Sequence, residues 1–167
     1  MRIRALLFAG LLIALSLVAA PANAANQISG TANFGSSCAA PPADFADFTS
    51  YPPIDMDGSL DGCWYTKILN FEQKPSGVYL ESGEEVFVGS LNGGPQGIFT
   101  TTYKFEAKLT LDDPASEIRG RCQHKIIAGS GTGGFDGASG RVDFKDIIDR
   151  TTLTLIEYHY RGHIRLA

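Results

Sequence analysis

The sequence predicts an all-β protein, an antiparallel up-and-down β-barrel of about eight strands that follows an irregular N-terminal arm. From about residue 60 onward, apolar and polar side chains alternate along successive segments, and short turn-forming clusters separate these segments. No segment shows the apolar period of an amphipathic helix. The chain has 167 residues, 44% of them hydrophobic and 19% charged. This size and composition suit one domain with a sizeable core.

The first segment of the chain has the features of a signal peptide. Arg2 and Arg4 precede a mainly apolar run over residues 5–18, and Ala22 and Ala24 form the small-x-small pattern that signal peptidase cleaves. A run of about fourteen residues is shorter than the roughly 20 that a membrane-spanning helix needs. We predict that residues 1–24 are removed near Ala24 and that the protein is secreted to the periplasm or the exterior.

The charge of the remaining chain argues against nucleic acids and anionic membrane surfaces as partners. Removing residues 1–24 leaves 12 Lys and Arg against 18 Asp and Glu, a net charge of −6, because the segment carries two arginines and no acids. Binding to phosphates needs clustered cations, whereas the lysines are spread among acids. We predict no nucleic-acid partner and no membrane association after cleavage. Self-association remains open.

Residues 25–59 are predicted to form the irregular arm, with one strand near residues 27–34. The segment is rich in Ala, Pro, Gly, Ser and Asp and has no sustained period. The acidic stretch Asp55 to Asp61 places side-chain oxygens at alternate positions, as a calcium loop does. An EF-hand needs Gly at its sixth position and Glu at its twelfth, where this chain has Leu60 and Thr66. We interpret the stretch as a solvated acidic turn and predict no metal site.

Residues 60–167 are predicted to form the barrel. In the clearest segment, 98–111, Phe99, Tyr103 and Phe105 share one face and polar residues the other, so one face is buried. Further strands are predicted over 62–72, 77–81, 84–91, 117–128, 140–148 and 151–166. The links between them are short and turn-competent, so consecutive strands are expected to be neighbours. Closure into a barrel removes exposed edges, and a β-sandwich is the alternative.

The glycine-rich segment GTGGFDGASGRV, residues 131–142, resembles a motif of the allene oxide cyclase and dirigent barrels. In those families it closes a hairpin and places a Phe under the barrel end, and Phe135 is the large apolar group available here. With segments 62–66, 99–111, 120–124 and 160–164, residues 60–167 are similar to secreted bacterial proteins with a calycin-type, allene oxide cyclase-like barrel. The resemblance implies the fold. No motif here matches the cyclase's catalytic glutamate, so it implies no catalytic residue.

Three cysteines in an exported chain predict one disulfide and one free thiol. Cys63 and Cys122 lie in predicted strands, whereas Cys38 lies in the arm. We favour a Cys63–Cys122 bridge. The alternatives are Cys38–Cys63, Cys38–Cys122 and no bridge.

His124 shares the strand face of Cys122 and Ile126 and is predicted to point into the barrel, where it needs a polar partner. It is either a satisfied core histidine or a group that orients a ligand or moves a proton. A metal site with Cys122 is a third alternative, which competes with the favoured disulfide. His159 and His163, four residues apart on one strand and so separated by about 13 Å, are predicted to face solvent.

The aromatic side chains of successive strands are predicted to form the core and, if space remains, an apolar pocket. The candidate ligand-binding residues are His124, Tyr103, Phe99, Phe105 and Tyr65. We predict a non-catalytic binder of a small apolar molecule that uses no cofactor. One alternative is an isomerase or cyclase acting in the cavity, with catalytic residues unassigned. The other is a structural or interaction protein with a filled barrel.

Overall fold

The computed structural model describes residues 25–35, 37–113 and 116–167. The predicted signal peptide lies outside the described residues. The strands are β1 Asn26–Phe34, β2 Ile54–Gly58, β3 Leu60–Gln73, β4 Val78–Leu91, β5 Gly97–Leu109, β6 Glu117–Ile126, β7 Thr132–Gly133, β8 Ser139–Ile148 and β9 Leu155–Arg165. A single short 3₁₀ turn over Ala43–Phe45 is the only helical element of the described chain.

Eight of these strands close into an antiparallel barrel, which confirms the predicted fold class. They follow each other in the order β1-β2-β3-β4-β5-β6-β8-β9, and β9 pairs with β1 to complete the ring. The two-residue strand β7 is an extra strand beside the start of β5. Each of these eight strands therefore has a hydrogen-bonded neighbour on both sides, although β3 continues beyond the end of its pairing with β2.

The barrel begins before the predicted boundary at residue 60. β1 agrees with the strand predicted near residues 27–34, but β2 was not predicted, and both belong to the ring. Between β1 and β2, residues 37–53 are irregular apart from the 3₁₀ turn, and Phe48 from this segment packs on the outer face of β3 and β4. β2 has five residues, and its pattern is too short and too acidic to be recognised without its neighbours. The two strands predicted over 77–81 and 84–91 are one continuous strand, β4.

One end of the barrel is filled by aromatic side chains. Trp64, Phe87, Phe99 and Phe135 are fully buried, and the rings of Phe99 and Phe135 lie 4.9 Å apart between centroids. Phe135 thus occupies the plug position predicted for it. Gly131 permits this packing, because a Cβ at that position would lie 1.8 Å from the Phe135 carbonyl oxygen. Space for a ligand must therefore lie toward the other end.

The disulfide joins Cys38 to Cys63, with their Cα atoms 5.8 Å apart, so the favoured Cys63–Cys122 pairing is wrong. Trp64 points into the barrel, so its neighbour Cys63 must point outward. Cys122 points inward, and the barrel wall separates the two sulfurs. Residues 37–53 run along the outer face of the barrel, and Cys38 from this segment forms the disulfide with Cys63 there. Cys122 is a buried free thiol whose pKa burial raises.

Candidate functional site

A cavity of about 250 Å³ occupies the barrel end opposite the aromatic plug. It lies where β1 ends and where β2, β6 and β9 begin. The lining residues are Phe34, Tyr51, Ile54, Thr66, Glu81, Glu85, Tyr103, Phe105, Glu117, Cys122, His124, Phe144, Asp146, Leu155 and Tyr158. The barrel is therefore filled at the plugged end and hollow at this one, which we call the open end.

Three of the five predicted ligand-binding residues meet in this cavity. His124, Tyr103 and Phe105 line it. Phe99 belongs instead to the aromatic plug. Tyr65 lies on the outer face of β3, where its hydroxyl donates a hydrogen bond to the Ala39 carbonyl at 3.0 Å. Tyr65 was misplaced because adjacent residues of a strand point to opposite faces, so it cannot share the interior with Trp64.

Four acidic residues of the cavity were not predicted from the sequence. Glu81 and Glu85 come from β4, Glu117 from β6 and Asp146 from β8, and neither lysine nor arginine is among the lining residues. The sequence pattern that could have identified them is an acidic residue at a strand position whose side chain faces the barrel interior. Glu85 lies two residues before buried Phe87, and Asp146 two residues after buried Phe144. The pocket that was expected to be apolar is therefore both aromatic and acidic.

Glu85 and His124 form a buried hydrogen-bonded pair. His124 Nδ1 lies 3.0 Å from the Val142 carbonyl oxygen, which assigns the proton to Nδ1, and Nε2 lies 3.1 Å from Glu85 Oε2. Burial lowers the pKa of His124 to about 3 and raises the pKa of Glu85 to about 8. A protonated Glu85 can donate to Nε2, so the pair is uncharged near neutral pH. Both imidazole nitrogens are engaged, which argues against the metal site considered for His124 and Cys122.

Glu81 accepts hydrogen bonds from three tyrosines. The hydroxyls of Tyr51 and Tyr79 each lie 2.6 Å from Oε2, and that of Tyr103 lies 2.7 Å from Oε1. Burial, followed by the Glu81 carboxyl, raises the pKa of Tyr103 and of Tyr51, so these hydroxyls stay protonated donors. Tyr51 belongs to the irregular segment 37–53. This contact therefore ties the segment to the rim of the cavity.

Glu117 and Asp146 form a carboxyl pair over Gly120. A Cβ at Gly120 would lie 2.2 Å from Glu117 Oε1 and 2.2 Å from Asp146 Oδ2, so these oxygens are separated by no more than twice that distance. Burial, followed by the Glu117 carboxyl, raises the pKa of Asp146 to about 8, and burial also raises the pKa of Glu117. Glu117 Oε1 and Asp146 Oδ1 are buried without a hydrogen-bond partner among the described residues. The pair can hold one proton and still offer acceptor oxygens to a ligand.

The described residues contain one other group of potential metal ligands, Cys38, Asp55 and Cys63, whose ligand atoms lie within 4.8 Å of one another. Both cysteines are in the disulfide, so neither can ligate as a thiolate. The acidic stretch around Asp55 and Asp57 is a β-hairpin formed by β2 and the start of β3. It does not wrap around a central point as a calcium loop does.

No family model, curated protein or solved structure matches this chain significantly. The resemblance to the allene oxide cyclase and dirigent barrels stays a prediction. None of the helical structure in residues 25–35, 37–113 and 116–167 is long and apolar enough to cross a membrane.

The Glu85→Gln substitution should flatten the decline of stability at rising pH. The folded protein retains a proton on Glu85 that the unfolded chain releases, since folding raises this pKa from 4.5 to about 8. That stabilisation is complete below the unfolded pKa and is lost as the pH rises through the folded pKa, by at most about 1.4 kcal/mol per pH unit. An amide at this position can donate to His124 Nε2 at every pH.

Urea unfolding between about pH 5 and pH 8 measures this effect. The wild type should lose more stability over this range than Glu85→Gln. In both proteins Asp146 contributes a loss as the pH rises, and His124, whose pKa folding lowers, contributes a gain up to about pH 6.5. Glu84→Gln is the matched control, because Glu84 lies on the outer face of the same strand. Equal slopes for the wild type and Glu85→Gln would show that Glu85 is already ionised in the folded protein.

Proposed function

We propose that the protein is a secreted, non-catalytic binder of a small, largely apolar molecule that carries one positively charged group. The open-end cavity would hold the molecule. The observation that carries this proposal is the carboxyl pair of Glu117 and Asp146, which offers buried, unpartnered oxygens to a cavity with aromatic walls. A buried acceptor without a partner costs free energy, and a bound ammonium group would supply the missing donor.

The aromatic walls beside the carboxyl pair suit an organic cation. The ring of Phe144 lies 6.0 Å from that of Tyr158, which in turn lies 5.7 Å from that of Phe34. Cations are attracted to the faces of aromatic rings, and the attraction is strongest where water is excluded. The absence of lysine and arginine from the lining leaves no group to repel a positive charge. A volume of about 250 Å³ limits the ligand to one compact molecule.

The pKa of Asp146 couples binding to pH. In the empty cavity the carboxyl pair retains a proton, because the pKa of Asp146 is about 8. An ammonium group favours the ionised carboxylate and would displace that proton. Affinity for a cation is therefore expected to rise between about pH 6 and pH 8, with release of a proton on binding.

Secretion rests on two observations of different kinds. Residues 1–24 have the pattern of a signal peptide, and the Cys38–Cys63 disulfide suits an oxidising compartment.

Three probes with the same aromatic body test the proposal: phenethylamine, 2-phenylethanol and phenylacetate. Calorimetric titration should show that the amine binds at least about tenfold more tightly than the alcohol, and that phenylacetate binds most weakly. Titrations in buffers of different ionisation enthalpy should show proton release with the amine alone. Equal affinities for the three probes would show that the pocket does not select for positive charge and would contradict the proposed cationic ligand. If none of the probes bound, the proposal as a whole would be overturned.

Asp146→Asn is the variant that tests the site. It should remove most of the amine's advantage over the alcohol, because the amide cannot carry the negative charge. Asp143→Asn is the matched control on the same strand, since Asp143 lies on the outer face and pairs with Arg141 at 2.8 Å. The control should bind the amine as the wild type does.

The isomerase or cyclase hypothesis is favoured by one observation. The Glu85–His124 pair and the carboxyl pair line the same cavity, so groups able to give and to accept protons converge on one ligand. Native mass spectrometry of protein exported by a bacterial host would identify a ligand that co-purifies. Deuterium transfer from D₂O into that ligand by the wild type, and not by Glu85→Gln, would establish catalysis in place of binding alone.

A further inference from the structure

The fold gathers the positive charge of the chain on one outer face. Residues 25–167 contain twelve lysines and arginines, and only Lys67, Lys74 and Arg150 lie outside β5, β6, β8 and β9. The other nine are at outward-facing positions of these four strands, where the outward acids are Glu106, Asp143 and Glu157. Cations that are spread along a chain of net acidic charge are thus neighbours in space. We call the outer surface of these four strands the basic face.

Strand register places the central cations side by side. Arg121 lies directly opposite Lys145, and Lys125 directly opposite Arg141. Neighbouring strands are about 4.8 Å apart, and outward residues of one strand are about 6.7 Å apart. A groove of about 870 Å³ runs over this part of the surface, and these cations, except Lys125, line it together with Arg161. A linear anion laid in the groove could contact several cations at once.

The other side chains of the basic face restrict the kind of polyanion. No Phe, Tyr or Trp occupies an outward position between residues 100 and 110, 117 and 126, or 139 and 147, and the outward ring that β9 brings to the groove is that of His159, so bases of a single-stranded nucleic acid would find few stacking partners. The face also has no exposed apolar cluster that could enter a lipid surface.

Two acids at the centre of the basic face favour a partner with hydroxyl groups. Glu106 pairs with Arg121 at 3.4 Å, and Asp143 pairs with Arg141 at 2.8 Å. Each carboxylate orients a guanidinium, and Glu106, the more exposed of the two, retains acceptor capacity that a sugar hydroxyl can use. DNA, in contrast, has few hydroxyls to offer them.

We propose that the basic face binds an anionic polysaccharide, a chain that carries sulfate or carboxylate groups between free hydroxyls. Arginine and lysine contact the anionic groups, and Glu106 and Gln123 accept hydrogen bonds from the hydroxyls. The basic face lies on the outside of the barrel wall, so this site is separate from the open-end cavity. Binding at the two sites is independent, and failure of one proposal leaves the other intact.

Heparin is the probe for this proposal, with oligo(dT) and vesicles of anionic lipid as competing polyanions. At about 50 mM NaCl the wild type should bind heparin at least about tenfold more tightly than oligo(dT), and the affinity should fall steeply as salt is added. Vesicles should not retain the protein. The proposal is overturned if heparin does not bind, or if oligo(dT) or the vesicles bind as tightly as heparin.

Charge reversal locates the site. The double variant R121E/K145E should lose at least about tenfold in heparin affinity, because it reverses two adjacent cations in the groove. K74E/R150E changes the net charge equally at exposed positions that do not line the groove and should lose less than about threefold. Equal losses of heparin affinity in the two double variants would show that binding depends on net charge alone and would overturn the proposed site. If R121E/K145E does not unfold cooperatively, R121Q/K145Q replaces it, with the same order of effects expected.

Discussion

Replacing Trp64 with alanine should lower the free energy of unfolding by about 3–5 kcal/mol. Trp64 is fully buried at the centre of the barrel, and its ring lies 5.6 Å from Phe99, 5.1 Å from His124 and 5.3 Å from Phe144. It therefore lies between the aromatic plug and two residues that line the open-end cavity, His124 and Phe144. Alanine leaves a void where the indole ring was. The barrel is a closed ring of hydrogen-bonded strands that cannot collapse fully into this void, so new contacts do not replace most of the van der Waals contacts of the indole.

Urea unfolding followed by far-UV circular dichroism measures the loss, because Trp64 is the single tryptophan and its fluorescence disappears with it. Phe71→Ala is the control: Phe71 is 72% exposed, and its truncation should change stability by less than about 0.5 kcal/mol. The Trp64 void should also extend the cavity and admit a probe with a second ring. A loss below about 1 kcal/mol would mean that the surrounding aromatic residues repack.

Removing the disulfide should lower the free energy of unfolding by about 3 kcal/mol. Cys38 and Cys63 are separated by 25 positions, and the bridge limits the freedom of this loop in the unfolded chain. Removing the bridge should also affect the cavity. The bridge holds residues 37–53 on the barrel, and Tyr51 from that segment donates a hydrogen bond to Glu81 at the rim of the cavity. The double variant C38S/C63S should therefore bind phenethylamine more weakly as well as unfold more easily.

Cys122→Ser is the control for the disulfide, since it removes the free thiol and leaves the bridge in place. Mass spectrometry should show one disulfide in this variant. A thiol reductant should lower its free energy of unfolding, as it lowers that of the wild type. If C38S/C63S were as stable as the oxidised wild type, the contacts of Phe48 with Tyr65 and Val86 would be sufficient to hold the segment.

The alternation of apolar and polar residues was enough to predict a barrel because it requires only local information. Along β5, Phe99, Tyr103 and Phe105 face the interior as their period of two predicts. Phe135 could be placed as a plug because it is the one large apolar residue of a glycine-rich segment. β2 could not be recognised, because its five residues are a strand only in the presence of β1 and β3.

The lining of the cavity and the pairing of the disulfide could not be predicted from the sequence, because both depend on which residues of distant segments face each other. Inward acids could be read from the phase of β4 and β8, but the meeting of Glu85 with His124 requires the pairing of β4, β5 and β6. The pairing of Cys38 with Cys63 likewise depended on the path of an irregular segment outside the barrel. The basic face has the same origin, since Arg121 and Lys145 are 24 positions apart in the chain and directly opposite in the sheet.

Local side-chain periodicity thus determined the fold class, the inward direction of His124 and the plug, because these depend on the two-residue repeat of a strand. Only the tertiary structure decided the acidic character of the cavity, the partner of each cysteine and the clustering of positive charge. These properties depend on contacts between residues far apart in the chain, and the register that creates them is set by closure of the whole ring.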